Sequence, residues 1–246
     1  KGNMYQVSLD HDFIEAMIAQ CDSTHTKLMI TQQELADELI PALEARDLPG
    51  MGDVDSALLW LCKQVKRDRS VIMSGECSDE VFGGYPWFYR EELAHLNTFP
   101  WLRSTKERKA MLHEQLQSLD LEGYIAKRYE EALHDVTYLD SDSEEDKRAR
   151  IHTILCLHWF MQTLVTRQVC MGNAADVNIR APFADVRIID YVYNIPWDMK
   201  FANGEEKGIL RAAFADALPE TVAHRKKNPF PKTHNPEYTK IMIEKM

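Results

Sequence analysis

The chain has 246 residues, 45% hydrophobic and 28% charged, enough for one large domain with a sizeable core. Its net charge of −10 and pI near 5.4 argue against nonspecific nucleic-acid binding, which needs a basic footprint, but leave room for a local basic site that receives an anion. No apolar run reaches the roughly 18 residues of a membrane span, and the K-G-N-M-Y start lacks a signal-peptide layout.

Five scattered cysteines (Cys21, Cys62, Cys77, Cys156, Cys170) with no C-x-x-C spacing read as a reduced, cytoplasmic protein. Cys77 reads as a buried structural thiol. The nine histidines show no H-x-x-x-H or H-E-x-x-H spacing, so zinc has little support. His152 and His158 lie six apart on one expected helix, and packing is the expected role of both.

In chain order, Asp10 is expected to cap a helix through about Gln20, with Phe13, Ile14, Met17 and Ile18 on one face. Residues 27–30 (K-L-M-I) read as a short strand. Thr31-Gln32-Gln33-Glu34 is a capping box that starts a helix to about Ala45. After a turn-rich stretch at 47–52, Asp53 caps another helix to about Arg67. Val71, Ile72 and Met73 form a strand that stops at Ser74 and Gly75.

This opening is α/β grammar. Beyond Tyr85 helical patterns dominate, at about 104–118, 121–134, 144–169, 185–194 and 206–217. The acidic run at 140–146 is expected to solvate a loop and start the long helix. Residues 225–236, basic and proline-rich, should form an ordered loop or extended segment.

Three constellations could carry chemistry. The first is S-G-E-C-S-D-E at 74–80, at a strand end, where α/β folds place ligands. Small residues there let backbone N–H groups approach a ligand. Glu76 and Asp79, three apart, would share a face on one helical turn. One could bind Mg²⁺ beside phosphates and the other handle a proton. The plainer alternative is a helix start dressed with acids.

The second is N-I-R-A-P-F-A-D at 178–185. A rigid corner held by Arg180 and Asp185 is favoured there over direct substrate contact. The third is the stretch from Lys207 to Lys232, ending in R-K-K-N-P-F-P-K. Four cations in eight residues form either a solvated face or a fixed loop whose lysine steadies charge growing in a transition state.

Taken together, V-I-M-S-G-E-C-S-D-E-V-F-G-G-Y, R-A-P-F-A-D, K-G-I-L-R, L-P-E-T-V followed by R-K-K, P-K-T-H-N-P and the upstream A-R-D-L-P-G-M resemble the asparagine synthetase family, in the same order and over nearly the whole chain. The resemblance implies an α/β fold of the ATP-pyrophosphatase (adenine-nucleotide alpha-hydrolase) type with a parallel sheet, mostly helical overall and truncated on its N-terminal side. It implies one partial synthetase domain over 1–246, with 1–85 a remnant of the nucleotide-binding core and 86–246 the mainly helical part.

The chemistry it implies has two steps. Aspartate attacks the α-phosphorus of ATP, giving β-aspartyl-AMP and pyrophosphate. Ammonia, drawn from glutamine in a separate domain, then displaces AMP. The resemblance assigns Ser74 and Gly75 to the nucleotide and Asp79 to Mg²⁺. It assigns Glu76 to guiding the intermediate and receiving the ammonia proton, and Lys227 to the adenylating transition state. Arg180 and Asp185 would be structural or substrate support. ATP, Mg²⁺, aspartate and ammonia or glutamine are the implied ligands. No nucleic acid or membrane is implied, and a homodimer is compatible with the family.

Two departures stand out. The family's S-G-G-x-D-S pyrophosphate loop and the glutaminase domain with its N-terminal cysteine do not occur in these residues, so the expectation is a fragment that neither hydrolyses glutamine nor binds ATP properly alone. Near the R-A-P-F segment the family pattern D-R-M-S-M, then E-x-R, is replaced by Val169-Cys170-Met171-Gly172-Asn173, then Asn178-Ile179-Arg180. Compensated drift is the first account and altered recognition the second. Two rivals remain: a sister ligase of the β-lactam synthetase type, against which Glu76 speaks, and a catalytically dead helical module.

Overall fold

The computed structural model describes residues 10–102, 104–227 and 235–245. They fall into two compact units. The first is assembled from the described residues within 10–75, 163–182 and 211–245, the second from those within 76–162 and 183–210.

The first unit begins with helix His11–Cys21. Asp10 precedes it in helical backbone geometry and makes no cap bond; its carboxylate pairs instead with Arg225, so the expected capping role is not the one it plays. Residues 27–30 enter no sheet, and Met29 stands exposed. An apolar run of three, Leu28–Ile30, is strand-like only where a partner ladder exists, and the described sheet contains only β-strands at 71–73 and 178–180.

The capping box forms as expected. Glu34 N–H donates to Thr31 Oγ1 (3.1 Å) and Thr31 N–H donates to Glu34 Oε2 (2.8 Å). The helix it starts divides at Glu38 into Gln32–Asp37 and Leu39–Arg46. Helix Asp53–Val65 is not capped by Asp53, which is already its first residue after Gly52 at φ +55°. Asp55 does the local work: its buried carboxylate accepts from Met51 N–H (3.0 Å) and from Arg46 (3.4 Å).

Strand β1 (Val71–Met73) forms as expected and pairs in parallel with β2 (Asn178–Arg180), Ile72 opposite Ile179. The second strand went unread because its three residues look like a lead-in to the proline turn. The sheet's inner face, Ile72 and Ile179, packs on Ala42, Leu59, Cys62, Met171, Ala175 and Val177. Its outer face leaves Val71 and Met73 exposed. Gly172, in helix Met161–Ala174, permits this packing: a Cβ there would stand 2.6 Å from the Val177 carbonyl oxygen. Helix Pro236–Lys245 closes the unit, with Lys245 paired to Asp37 at 2.9 Å.

The second unit is helical. Helices Leu121–Leu133 and Glu144–Leu155 bury Phe99, Tyr129, Ala132 and Leu155, while Val81, Phe82 and Val192 form a second nucleus. The expected 104–118 helix is shorter, Thr105–Ala110 followed by a 3₁₀ turn at Glu114–Leu116, and the 206–217 helix contracts to Gly208–Ala213. The long helix is longer than expected and passes through a π turn at Cys156–Phe160 before continuing to Ala174. Such turns hold one extra residue per hydrogen-bonded ring.

The acidic run starts that helix through a Ser143–Asp146 capping box, but it is not simply solvated. Asp142 and Arg150 form a 2.7 Å pair whose side chains are 5% and 7% exposed, and Arg150 also lies 4.9 Å over the Tyr193 ring. His152 packs as expected, against Phe88. His158 does not: it pairs with Asp135 at 3.3 Å on the surface. Among the described residues no helix is long and apolar enough to cross a membrane.

Candidate active site

In the first unit, β1 ends by handing its ladder to the loop. Ser74 N–H donates to the Arg180 carbonyl (2.7 Å), and Ser74 Oγ accepts from Gln168 Nε2 (2.8 Å). Gln168 is 5% exposed, so the hydroxyl at the strand end is held from within the core. A Cβ on Gly75 would meet no described atom within 4 Å, leaving its backbone open to an approaching group.

Lys227 lies half-buried in the basic segment of the same unit. The root of that segment is fixed. Arg211 donates to the carbonyls of Ala223 and Arg225, the latter at 2.8 Å, and the Arg225 guanidinium pairs with Asp10 and lies 4.7 Å over Phe13. Residues 228–234, which carry the rest of the expected loop, lie outside the described residues.

In the second unit, Glu76 and Asp79 do not share a helical turn. Cys77, buried and at φ +75°, intervenes, and helix Ser78–Phe82 starts after it. The αL residue turns the chain sharply between the two acids. Asp79 sits in the first helical turn, where backbone N–H groups favour a carboxylate.

Asp79 is closely framed. Lys207 Nζ lies 3.1 Å from Asp79 Oδ1 and also donates to Ser78 Oγ at 3.5 Å. Gly84 N–H donates to the Asp79 carbonyl (2.8 Å), and Gly84 has no side chain to displace the Asp79 carboxylate. Gly83, at φ +73°, ends the helix, and a Cβ there would stand 2.5 Å from the Trp197 ring. Gly84 is therefore part of Asp79's seating, while Gly83 makes room for the Trp197 ring.

Glu80 is 1% exposed and accepts from Tyr85 O–H at 2.5 Å. Burial raises its pKa, with the Tyr85 hydrogen bond opposing that shift. Burial also pushes the Tyr85 phenol far above its ordinary range, so the tyrosine stays a donor. Lys207 was visible as the head of K-G-I-L-R, but its meeting with Asp79, 128 positions away in sequence numbering, was not. Gln168 gave no sequence signal at all.

The two support residues each take a near neighbour in sequence. Arg180 Nε donates to Asn178 Oδ1 at 2.9 Å. Asp185 caps helix Val186–Tyr193 through Arg187 N–H and pairs with the Arg187 guanidinium at 2.7 Å, which lowers its pKa to about 2. Among the described residues, no group of three His, Cys, Asp or Glu side chains is disposed to hold a metal ion. A cation arriving with phosphates needs fewer protein ligands, often one or two carboxylates, so Asp79 alone is compatible with a nucleotide-borne Mg²⁺.

The first unit thus carries Ser74 and Gly75 at the end of β1, and the second carries Asp79 with Lys207 at the start of helix Ser78–Phe82. The asparagine synthase family profile matches residues 5–245, and the chain belongs to that family. It is 45% identical over 245 residues to the glutamine-hydrolyzing asparagine synthetase 3 of Bacillus subtilis (strain 168), covering 99% of this chain and 40% of that protein. It is 30% identical to asparagine synthetase 1 of the same organism, over 82% of this chain and 37% of the relative. Asparagine synthetase B of Escherichia coli (strain K12) is 26% identical, with 85% and 29% covered. The chain thus spans about two fifths or less of the length of these relatives.

Proposed function

We propose that this chain supplies part of the synthetase site of an ATP-dependent ligase that converts aspartate to asparagine. The observation that carries this reading is the seating of Asp79 between Gly84 and Lys207, in a chain 45% identical to a glutamine-hydrolyzing asparagine synthetase. The ATP-pyrophosphatase fold is part of the same proposal, with β1 and β2 as two strands of its parallel sheet. Cytoplasmic location and a homodimer belong to it as well.

In this reading Ser74 and Gly75 meet the nucleotide, the first through a hydroxyl oriented by Gln168. Asp79 would hold Mg²⁺ on the phosphates; the ion neutralises phosphate charge there when bound. Lys227 places positive charge against the phosphoryl group as charge grows on it. Glu76 takes the proton from the attacking ammonia. The chain taken alone is proposed to be inactive, since it contains no S-G-G-x-D-S segment and covers 40% of its 45%-identical relative.

The departure around Val169 is read as drift. Val169 is exposed, and Asn178 still offers Arg180 an acceptor where the family pattern has an acid. The test is to supply the complete gene product that carries this sequence with L-aspartate, MgATP and ammonium chloride. Asparagine and AMP in equal amounts are expected. AMP with another amide product would favour the sister ligase. Neither product would favour the dead module.

A further inference from the structure

We propose that Arg211 is a positioning residue for Lys227: its guanidinium clamps two backbone carbonyls and so fixes the place from which the Lys227 charge acts. The inference rests on the reading of Lys227 given above. It concerns a residue to which neither the sequence reading nor the family match assigns a role.

Arg211 belongs to the short helix Gly208–Ala213 and reaches twelve and fourteen residues ahead. One terminal nitrogen donates to the carbonyl of Ala223, the last residue of helix Glu220–Ala223, and the other donates to the Arg225 carbonyl at 2.8 Å. The last carbonyls of a helix have no intrahelical partner. A guanidinium has donors in a rigid planar fork and can serve that oxygen and the Arg225 carbonyl just past the helix at once. An ammonium is a point charge without that fork.

The second hold is independent. The Arg225 side chain pairs with Asp10 and covers the Phe13 ring, so residue 225 is fixed through both its backbone and its side chain. Lys226 is exposed and Lys227 half-buried just beyond it. Two residues span at most about 7 Å of chain. A lysine that close to a fixed anchor has its reach set by the anchor. Releasing the carbonyls would let residues 225–227 wander without changing the charge they carry.

The test has two arms. The first is limited trypsin digestion of the chain itself, followed by mass spectrometry. Arg211→Gln should speed cleavage after Arg225, Lys226 and Lys227 by about tenfold, as expected for a lost charge-assisted hold, with cleavage after Lys147 changed far less. Arg211→Lys should fall between, because an ammonium lacks the planar fork. Should Arg211→Gln unfold, the Arg211→Lys comparison carries the same reading. Equal cleavage in all three proteins would overturn the clamp.

The second arm uses the complete gene product. Arg211→Gln should lower kcat for asparagine formation about tenfold, with KM for ATP and aspartate within about threefold. In a Lys227→Ala background the same change should cost nothing further. Losses that multiply in the double variant would overturn the coupling. A fully active Lys227→Ala would refute the role of Lys227 instead, while the digestion arm still decides whether Arg211 holds the segment.

Discussion

A Cβ placed on Gly84 would lie 1.9 Å from Asp79 Oδ1. The close approach is to the very carboxylate that Lys207 also meets, so the glycine is a condition of the acid's position. Gly84→Ala should therefore move Asp79 off Lys207 and destabilise the second unit by about 1–3 kcal/mol, the usual cost of overpacking. Urea unfolding of the variant checks this, and an unchanged midpoint would show that the carboxylate has room to yield.

Asp142 and Arg150 are nearly sealed from solvent. Removing one partner leaves the other charge buried, so Asp142→Ala should cost about 3–5 kcal/mol. Replacing both, as Asp142→Leu with Arg150→Met, should recover most of that loss. The comparison needs only chemical denaturation of three proteins, and equal losses in the single and double variants would contradict it.

His152 is 3% exposed, and burial lowers its pKa to about 4, while a hydrogen bond to the Ala94 carbonyl opposes the shift. The unfolded histidine takes its proton near pH 6.5, and the folded one resists until about pH 4. Between these values the unfolded state binds more protons, so stability falls as pH falls. The loss should approach about 3 kcal/mol on going from pH 7 to 4. His152→Gln should flatten that slope, which stability measured at pH 7, 5.5 and 4 would show.

Gln168 holds the Ser74 hydroxyl at the end of β1. Gln168→Met keeps the volume and removes the donor. A net hydrogen bond is worth about 1 kcal/mol, so KM for ATP in the complete gene product should rise about fivefold with little change in melting temperature. An unaltered KM would mean that Ser74 does not meet the nucleotide through its hydroxyl.

Periodicity and caps carried the sequence reading where the governing interaction was local. The Thr31–Glu34 box and helix Leu121–Leu133 depend on residues within a few positions. Asp10 and Asp53 show the limit. Both looked like caps, but one carboxylate is drawn to Arg225, 215 residues away, and the other belongs to a helix entered through Gly52. Strand β2 was hidden because three residues before a proline carry no period, and only β1 gives them a ladder.

The candidate site was legible as motifs but not as geometry. The acids at 76 and 79 were read on one turn, whereas the left-handed Cys77 separates them. Lys207 on Asp79, Gln168 on Ser74 and Arg211 on the basic segment all join residues remote in sequence. A motif marks which residues matter; the partners that aim them come from the tertiary fold.

The first unit is written in three separate stretches of chain, and its two strands lie more than a hundred residues apart. On a ribosome, residues 71–73 emerge long before 178–180 exist to pair with them. Helices of the second unit can coil as they appear, and their collapse shortens the tether between residues 75 and 163. The sheet that ends at Ser74 is thus among the last features the chain can complete, and contacts this distant in sequence are slow to form. Until then Val71 and Met73 share their exposure with the whole unpaired strand, a hydrophobic window during synthesis in which chaperone capture or premature self-association would do the most damage.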